Sequence, residues 1–154
     1  MLKLMRWLSL DVGVARVGVA LSDPSGEVVT TLSPLAFKGP QPLALQVAEL
    51  VDAWSVEGVV VGVPSTRSGK SRGEVRVAQV VATLREHVGV PVEVEDERGT
   101  SRAADTLLRE AGVPLHRRAA LRDGIAARLI LETFLARLRN CCTSPADVDR
   151  GCDG

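Results

Sequence analysis

Gly58-Val59-Val60-Val61-Gly62-Val63 is a run without a polar side chain, closed by Pro64. A run so short and so apolar reads as a strand covered on both faces, because a half-exposed strand would alternate apolar with polar residues. Such a strand needs helices above and below its sheet. The chain has 154 residues, 45% of them apolar. That is enough for one core of this kind and matches a single domain.

The flanking segments supply the remaining layers. Leu8 to Asp11 is a short apolar run ending in an acid, and Val17 to Asp23 alternates before Pro24, Ser25 and Gly26, so the two read as a hairpin. Glu27 to Leu35, rich in Val and Thr, gives a third strand that should stop at Pro34 and a loop through Gly39, Pro40 and Pro42. Leu43, Val47, Leu50, Val51 and Trp54 recur at helical spacing, as do Val77, Val81, Leu84 and Val88. Pro91 to Glu95 is a fifth strand. Thr100 or Ser101 can cap a helix that Gly112 and Pro114 end, and a last helix spans about Ala119 to Arg139. The expectation is an α/β fold with a mixed five-stranded sheet, three antiparallel strands followed by two parallel ones, and helices on both faces. Residues 1–139 form the domain, and Asn140 to Gly154, poor in large apolar groups, reads as a disordered tail.

Composition excludes several classes. The opening MLKLMRW is too short and too charged for a secretory signal, and no 18-residue apolar stretch suggests a membrane span, so the expected location is the cytoplasm. Cys141, Cys142 and Cys152 are odd in number and have no zinc-type spacing, so they read as reduced thiols. Net charge is zero, which argues against binding nucleic acid by global charge. Local charge differs. Seven arginines between Arg98 and Arg128 face only Asp105, Glu110 and Asp123, and Arg67, Lys70, Arg72 and Arg76 flank the single acid Glu74.

Three acids stand where chemistry could occur. Asp11 ends an apolar strand, where a carboxylate loses hydration unless a cation or donors compensate it. Gly13, Arg16, Gly18 and Ala20 around it make a tight hairpin that a phosphate could approach closely. Glu97, in Asp96-Glu97-Arg98, follows the fifth strand at the edge where open α/β sheets place ligands. Asp123 opens a helical segment, Gly124-Ile125-Ala126-Ala127, whose small residues allow close approach to the sheet. Each acid has a bland reading as well: a turn residue for Asp11, a turn at Asp96 with Arg98 as its partner for the tripeptide that holds Glu97, and a solvated helix acid paired with Arg122 or Arg118 for Asp123. Converging on one edge, the three would suit two Mg²⁺ or Mn²⁺ ions, which prefer oxygen ligands.

Leu10-Asp11-Val12-Gly13 with Arg16-Val17-Gly18-Val19-Ala20, then Val61-Gly62-Val63-Pro64, Asp96-Glu97-Arg98 with Thr100-Ser101, and Asp123-Gly124-Ile125-Ala126-Ala127 together resemble the YqgF family. That family is also called RuvX, or the Holliday junction resolvase-like proteins. The resemblance covers residues 6 to 138 in order. It implies an RNase H-like fold and a metal-dependent nuclease, with Asp11, Glu97 and Asp123 as catalytic and metal-binding acids. Arg16 and Arg98 match the family's arginines. With Arg67, Lys70, Arg102, Arg117 and Arg118 they form the expected nucleic-acid contacts. The loop Ser65-Thr66-Arg67-Ser68-Gly69 departs from the family's more usual Asn or Asp before the Gly.

The implied substrate is precursor 16S rRNA, trimmed at its 5′ end in ribosome biogenesis, with pre-ribosomal particles as partners. The alternative is branched DNA, where a Holliday junction resolvase would act as a homodimer. A scaffold that binds RNA without cutting is the non-enzymatic reading. An Asp-X-Gly hairpin also opens actin-like sugar kinases, but these need a second phosphate-binding lobe for which this chain is too short.

Overall fold

The structure is a computed structural model that describes residues 5–64, 72–96 and 100–143, with all side chains of the last segment except those of 100–102, 120 and 141–143. Five strands form one sheet: β1 (Trp7–Val12), β2 (Arg16–Ser22), β3 (Val29–Ala36), β4 (Gly58–Val63) and β5 (Val92–Asp96), in the order β3-β2-β1-β4-β5. The hairpin pairs β1–β2 and β2–β3 are antiparallel, whereas β1–β4 and β4–β5 are parallel. The expected mixed sheet is therefore present.

Alternation along the strands builds two cores. Leu8, Leu10, Val17, Val19, Val59, Val61 and Val92 point to one face, under α1 (Pro40–Trp54) and α2 (Arg72–His87). Trp7, Ala20 and Val60 point to the other, where Ala127, Ile130, Leu131 and Phe134 of α4 (Leu115–Thr143) cover them. Val59, Val60 and Val61 are thus all fully buried, as the apolar run predicts. Burying each stabilises the fold by about 1.5–3 kcal/mol relative to exposure. The second face is unusually close-fitting: a Cβ on Gly58 would lie 2.5 Å from the Trp7 ring. Phe134 meets that ring edge-on at 4.6 Å. The Ser9 hydroxyl, fully buried, donates to the Ala127 carbonyl at 2.7 Å and ties α4 to β1.

The main departures from the sequence expectation lie in three elements. β3 does not stop at Pro34 but runs to Ala36. It is an edge strand, and its register against β2 slips between Val17 and Val19, so Ser33 and Pro34 face Gly18 in a bulge where a residue lacking an N–H is tolerated. Pro40 opens α1 instead of lying in a loop, because its missing N–H would have no helical partner at that position anyway. α4 begins at Leu115 and continues to Thr143, beyond the expected 119–139 at both ends. Residues 115–118 are exposed or half-buried, so this first turn carries no apolar periodicity to read.

α3 (Thr100–Glu110) precedes α4 and packs on it through Ala104 and Leu108. It ends in a Schellman turn: Gly112, at φ 75°, donates to the Arg109 carbonyl, and Val113 donates to that of Leu108, both at 3.0 Å. Among the described residues no helix is long and apolar enough to cross a membrane.

Candidate active site

β1, β4 and β5 run parallel, so their carboxyl ends share one edge of the sheet. Asp11 is the penultimate residue of β1, on the same face as Trp7 and Ser9, the face that α4 covers. Its partner across the hairpin is Gly18. A Cβ on Gly18 would lie 1.9 Å from the Asp123 carbonyl oxygen and 3.1 Å from the Asp123 Cα. The backbone of α4 therefore occupies the space that any side chain at position 18 would fill. In this way two acids far apart in sequence come to neighbouring positions at one sheet edge.

Arg16, at the start of β2, joins them. Its Nε donates to Asp123 Oδ2 at 2.8 Å, with the arginine side chain 44% exposed and the aspartate 15%. The hairpin that places Arg16 is closed by Gly13 N–H donating to the Arg16 carbonyl at 2.8 Å, and Phe37 N–H donates to Ala15 at 2.9 Å. Water screens such a half-exposed pair, so it contributes at most about 1 kcal/mol. Its larger effect is to orient Asp123 and offset the repulsion between two nearby carboxylates. Asp11 is itself engaged in a polar or ionic interaction.

The structure thus brings together Asp11, Arg16 and Asp123. Glu97, Arg98, Arg67 and Lys70 lie outside the described residues, as does the side chain of Arg102. Glu97 follows directly on Asp96, the last residue of β5. Arg117 and Arg118 stand in the first turn of α4, about 7.5–9 Å along the helix before Asp123. There Arg118 Nε donates to the Val113 carbonyl at 2.8 Å, at the corner between α3 and α4.

One feature near this edge has no counterpart in the sequence reading. Glu95, one residue before the end of β5, is buried, and Arg137 of α4 holds its Oε1 through Nε at 2.9 Å and Nη2 at 2.8 Å. The Arg137 guanidinium also lies over the Phe134 ring at 5.5 Å. Val92-Glu93-Val94-Glu95 reads as ordinary alternation with an exposed acidic face, and nothing in it points to a partner on the last helix.

Asp11 and Asp123 are hard oxygen donors, which suits a small divalent cation in kind. Among the described residues no group of three His, Cys, Asp or Glu side chains gathers as a metal site.

The sheet order, with helices on both faces and acids at the carboxyl edge, defines an RNase H-like fold of the kind found in Holliday junction resolvases. It is shared with Thermus thermophilus RuvC in complex with a Holliday junction substrate, at a TM-score of 0.58 and 17% identity over 88% of this chain and 96% of that one. The fowlpox virus resolvase in complex with Holliday junction DNA has it too, at a TM-score of 0.53 and 11% identity over 87% and 99%. At these identities the likeness concerns the fold alone. The family model described as RuvX, Holliday junction resolvase, matches residues 5–137, and the chain belongs to that family. Relatives from Pelotomaculum thermopropionicum and Streptococcus pneumoniae are each 39% identical, covering 85% and 86% of this chain and 86% and 99% of their own length. Both carry the name "Putative pre-16S rRNA nuclease".

Proposed function

We propose that this protein is a metal-dependent nuclease that hydrolyses nucleic-acid phosphodiesters, and that its task is trimming the 5′ end of precursor 16S rRNA in the cytoplasm. The observation that carries this reading is the seating of Asp123 on Gly18, directly beside Asp11. Asp11, Glu97 and Asp123 would hold Mg²⁺ or Mn²⁺, as two ions. When bound, such ions lower the pKa of water and stabilise the leaving oxygen of an in-line displacement. The chain's own part is positional. Gly18 admits α4, α4 fixes Asp123, and Arg16 holds the carboxylate in one orientation and offsets its charge. Arg16 and Arg98 would meet the phosphate, and Arg67, Lys70, Arg102, Arg117 and Arg118 would contact the strand.

Names of the relatives support rRNA as the substrate. The fold shared with junction-bound resolvases supports a second reading, resolution of branched DNA by a homodimer with two sites related by a two-fold axis. One experiment separates them: the purified protein is offered a precursor 16S rRNA fragment and a mobile four-way junction, with Mg²⁺, with Mn²⁺ and with excess EDTA. The expected outcome is metal-dependent shortening of the rRNA, lost in EDTA and reduced by orders of magnitude in Asp11→Asn and Asp123→Asn proteins that remain folded. Undiminished cleavage in EDTA, or full turnover by both variants, would overturn the assignment. Binding of rRNA without cleavage under any of these conditions would instead identify a maturation scaffold.

A further inference from the structure

The corner between α3 and α4 encloses a cavity of about 430 Å³, open to solvent and lined by Asp105, Arg109, Leu115, Arg118, Ala119 and Arg122. Three guanidinium groups face one carboxylate there, a surplus of two positive charges. They are held differently. Arg118 is anchored through Nε to the Val113 carbonyl at 2.8 Å. Arg122 meets Asp105 only loosely, at 3.6 Å, with the two side chains 41% and 49% exposed. The Arg109 guanidinium, in the last turn of α3, has no hydrogen-bond or ionic partner among the described residues.

Exposed arginines of one sign repel one another, and without a compensating anion they would spread apart on a flat surface. Here the Schellman turn at Gly112 and the packing of Ala104 and Leu108 hold the two helices so that the three converge on one concavity. Concave walls of low dielectric concentrate such a field, and the planar guanidinium fork matches phosphate oxygens. Among the described residues no aromatic ring lines the cavity. Its chemistry fits a sugar-phosphate backbone, read without regard to sequence.

Position links the cavity to the site. Arg122 immediately precedes Asp123 on α4, and Arg118 lies five residues before Asp123, about 7.5 Å along the axis. That span is comparable to the spacing between neighbouring phosphates along a nucleic-acid strand. We propose that the α3–α4 cavity grips the substrate strand by its phosphates close to the cut, with Arg109 and Arg122 as the gripping groups beside the anchored Arg118. This inference rests on the nuclease reading above and adds Arg109 and Arg122 to the binding surface.

The test measures affinity of an Asp11→Asn protein for a single-stranded precursor rRNA fragment by fluorescence anisotropy across a KCl series. Adding Arg109→Ala should lower the slope of log affinity against log salt by about 0.7, and Arg109→Ala with Arg122→Ala by about 1.4, whatever the RNA sequence. Arg128→Ala, whose arginine pairs with Glu132 on α4, serves as the control and should leave the slope unchanged. Circular dichroism confirms that each variant is folded. An unchanged slope in the double variant, while the parent binds, removes the cavity from the substrate path. An equal fall in the Arg128→Ala control would mean diffuse surface charge and would also overturn the proposal. Failure of the nuclease reading shows separately, as absence of cleavage by the native protein.

Discussion

Glu95 is buried but its partner Arg137 keeps 60% of its side chain in water, so the pair joining β5 to α4 is neither a surface bridge nor a fully enclosed one. Breaking it from the arginine side leaves a buried carboxylate without its bidentate donor and removes the guanidinium from the Phe134 ring. Between the ranges for exposed and enclosed pairs, Arg137→Ala should destabilise the fold by about 1–2 kcal/mol. Urea unfolding checks this through a lower midpoint at an unchanged m-value. Replacing Glu95 by Leu in the same chain should recover most of the loss, since the uncompensated charge goes with it. If the double variant is no more stable than Arg137→Ala alone, the penalty lies elsewhere. Residues of this kind are illegible in sequence, because the strand and the helix that satisfy each other are 42 positions apart. Asp11 and Asp123 were legible because their neighbours were anomalous: an acid closing an apolar run, and an acid leading into Gly and Ala. The partnership of Arg16 with Asp123 was not, since hairpin geometry admits a phosphate contact equally well.

Among the elements, strands were read closely wherever burial imposed a pattern, β4 to the residue. Element ends are less legible where backbone rules compete with each other. Pro34 signals an end to a strand in general, yet an edge strand with a bulge tolerates it, and edge position is a property of the whole sheet. The β2–α4 contact follows the same logic. Gly18 sits in a strand interior, where glycine ordinarily weakens pairing, and its value appears only when α4 is laid on the sheet. Gly18→Ala should therefore cost about 3 kcal/mol or more, because the added methyl meets helix backbone rather than a flexible side chain. Chemical denaturation measures the loss. Cleavage assayed under conditions where the variant is fully folded should fall further than stability explains, as relief of the clash moves Asp123 away from Asp11. A folded variant of native activity would show that the two acids need not be adjacent.

On the scale of the whole molecule, α4 reaches across the sheet from the acid edge at Asp123 to Arg139, whose guanidinium donates to the Gly26 carbonyl beyond the opposite end of β2. A chain ending after Arg139 keeps every one of these contacts. It should retain cleavage and lose no more than about 1 kcal/mol of stability, a shift in Tm of about 4 °C or less. A chain ending after Leu135 loses Arg137 and Arg139 and should be far less stable in the same thermal scan. Equal Tm values for the two truncations would show that α4 beyond Leu135 contributes nothing.

Arg16 and Asp123 are joined across 107 positions of sequence, and Asp123 reaches its place only when α4 lies down on Gly18. During synthesis the first acid leaves the ribosome early and the last one late. A partly made chain therefore carries Asp11 and Arg16 without Asp123, and the candidate site closes only once the final helix has emerged.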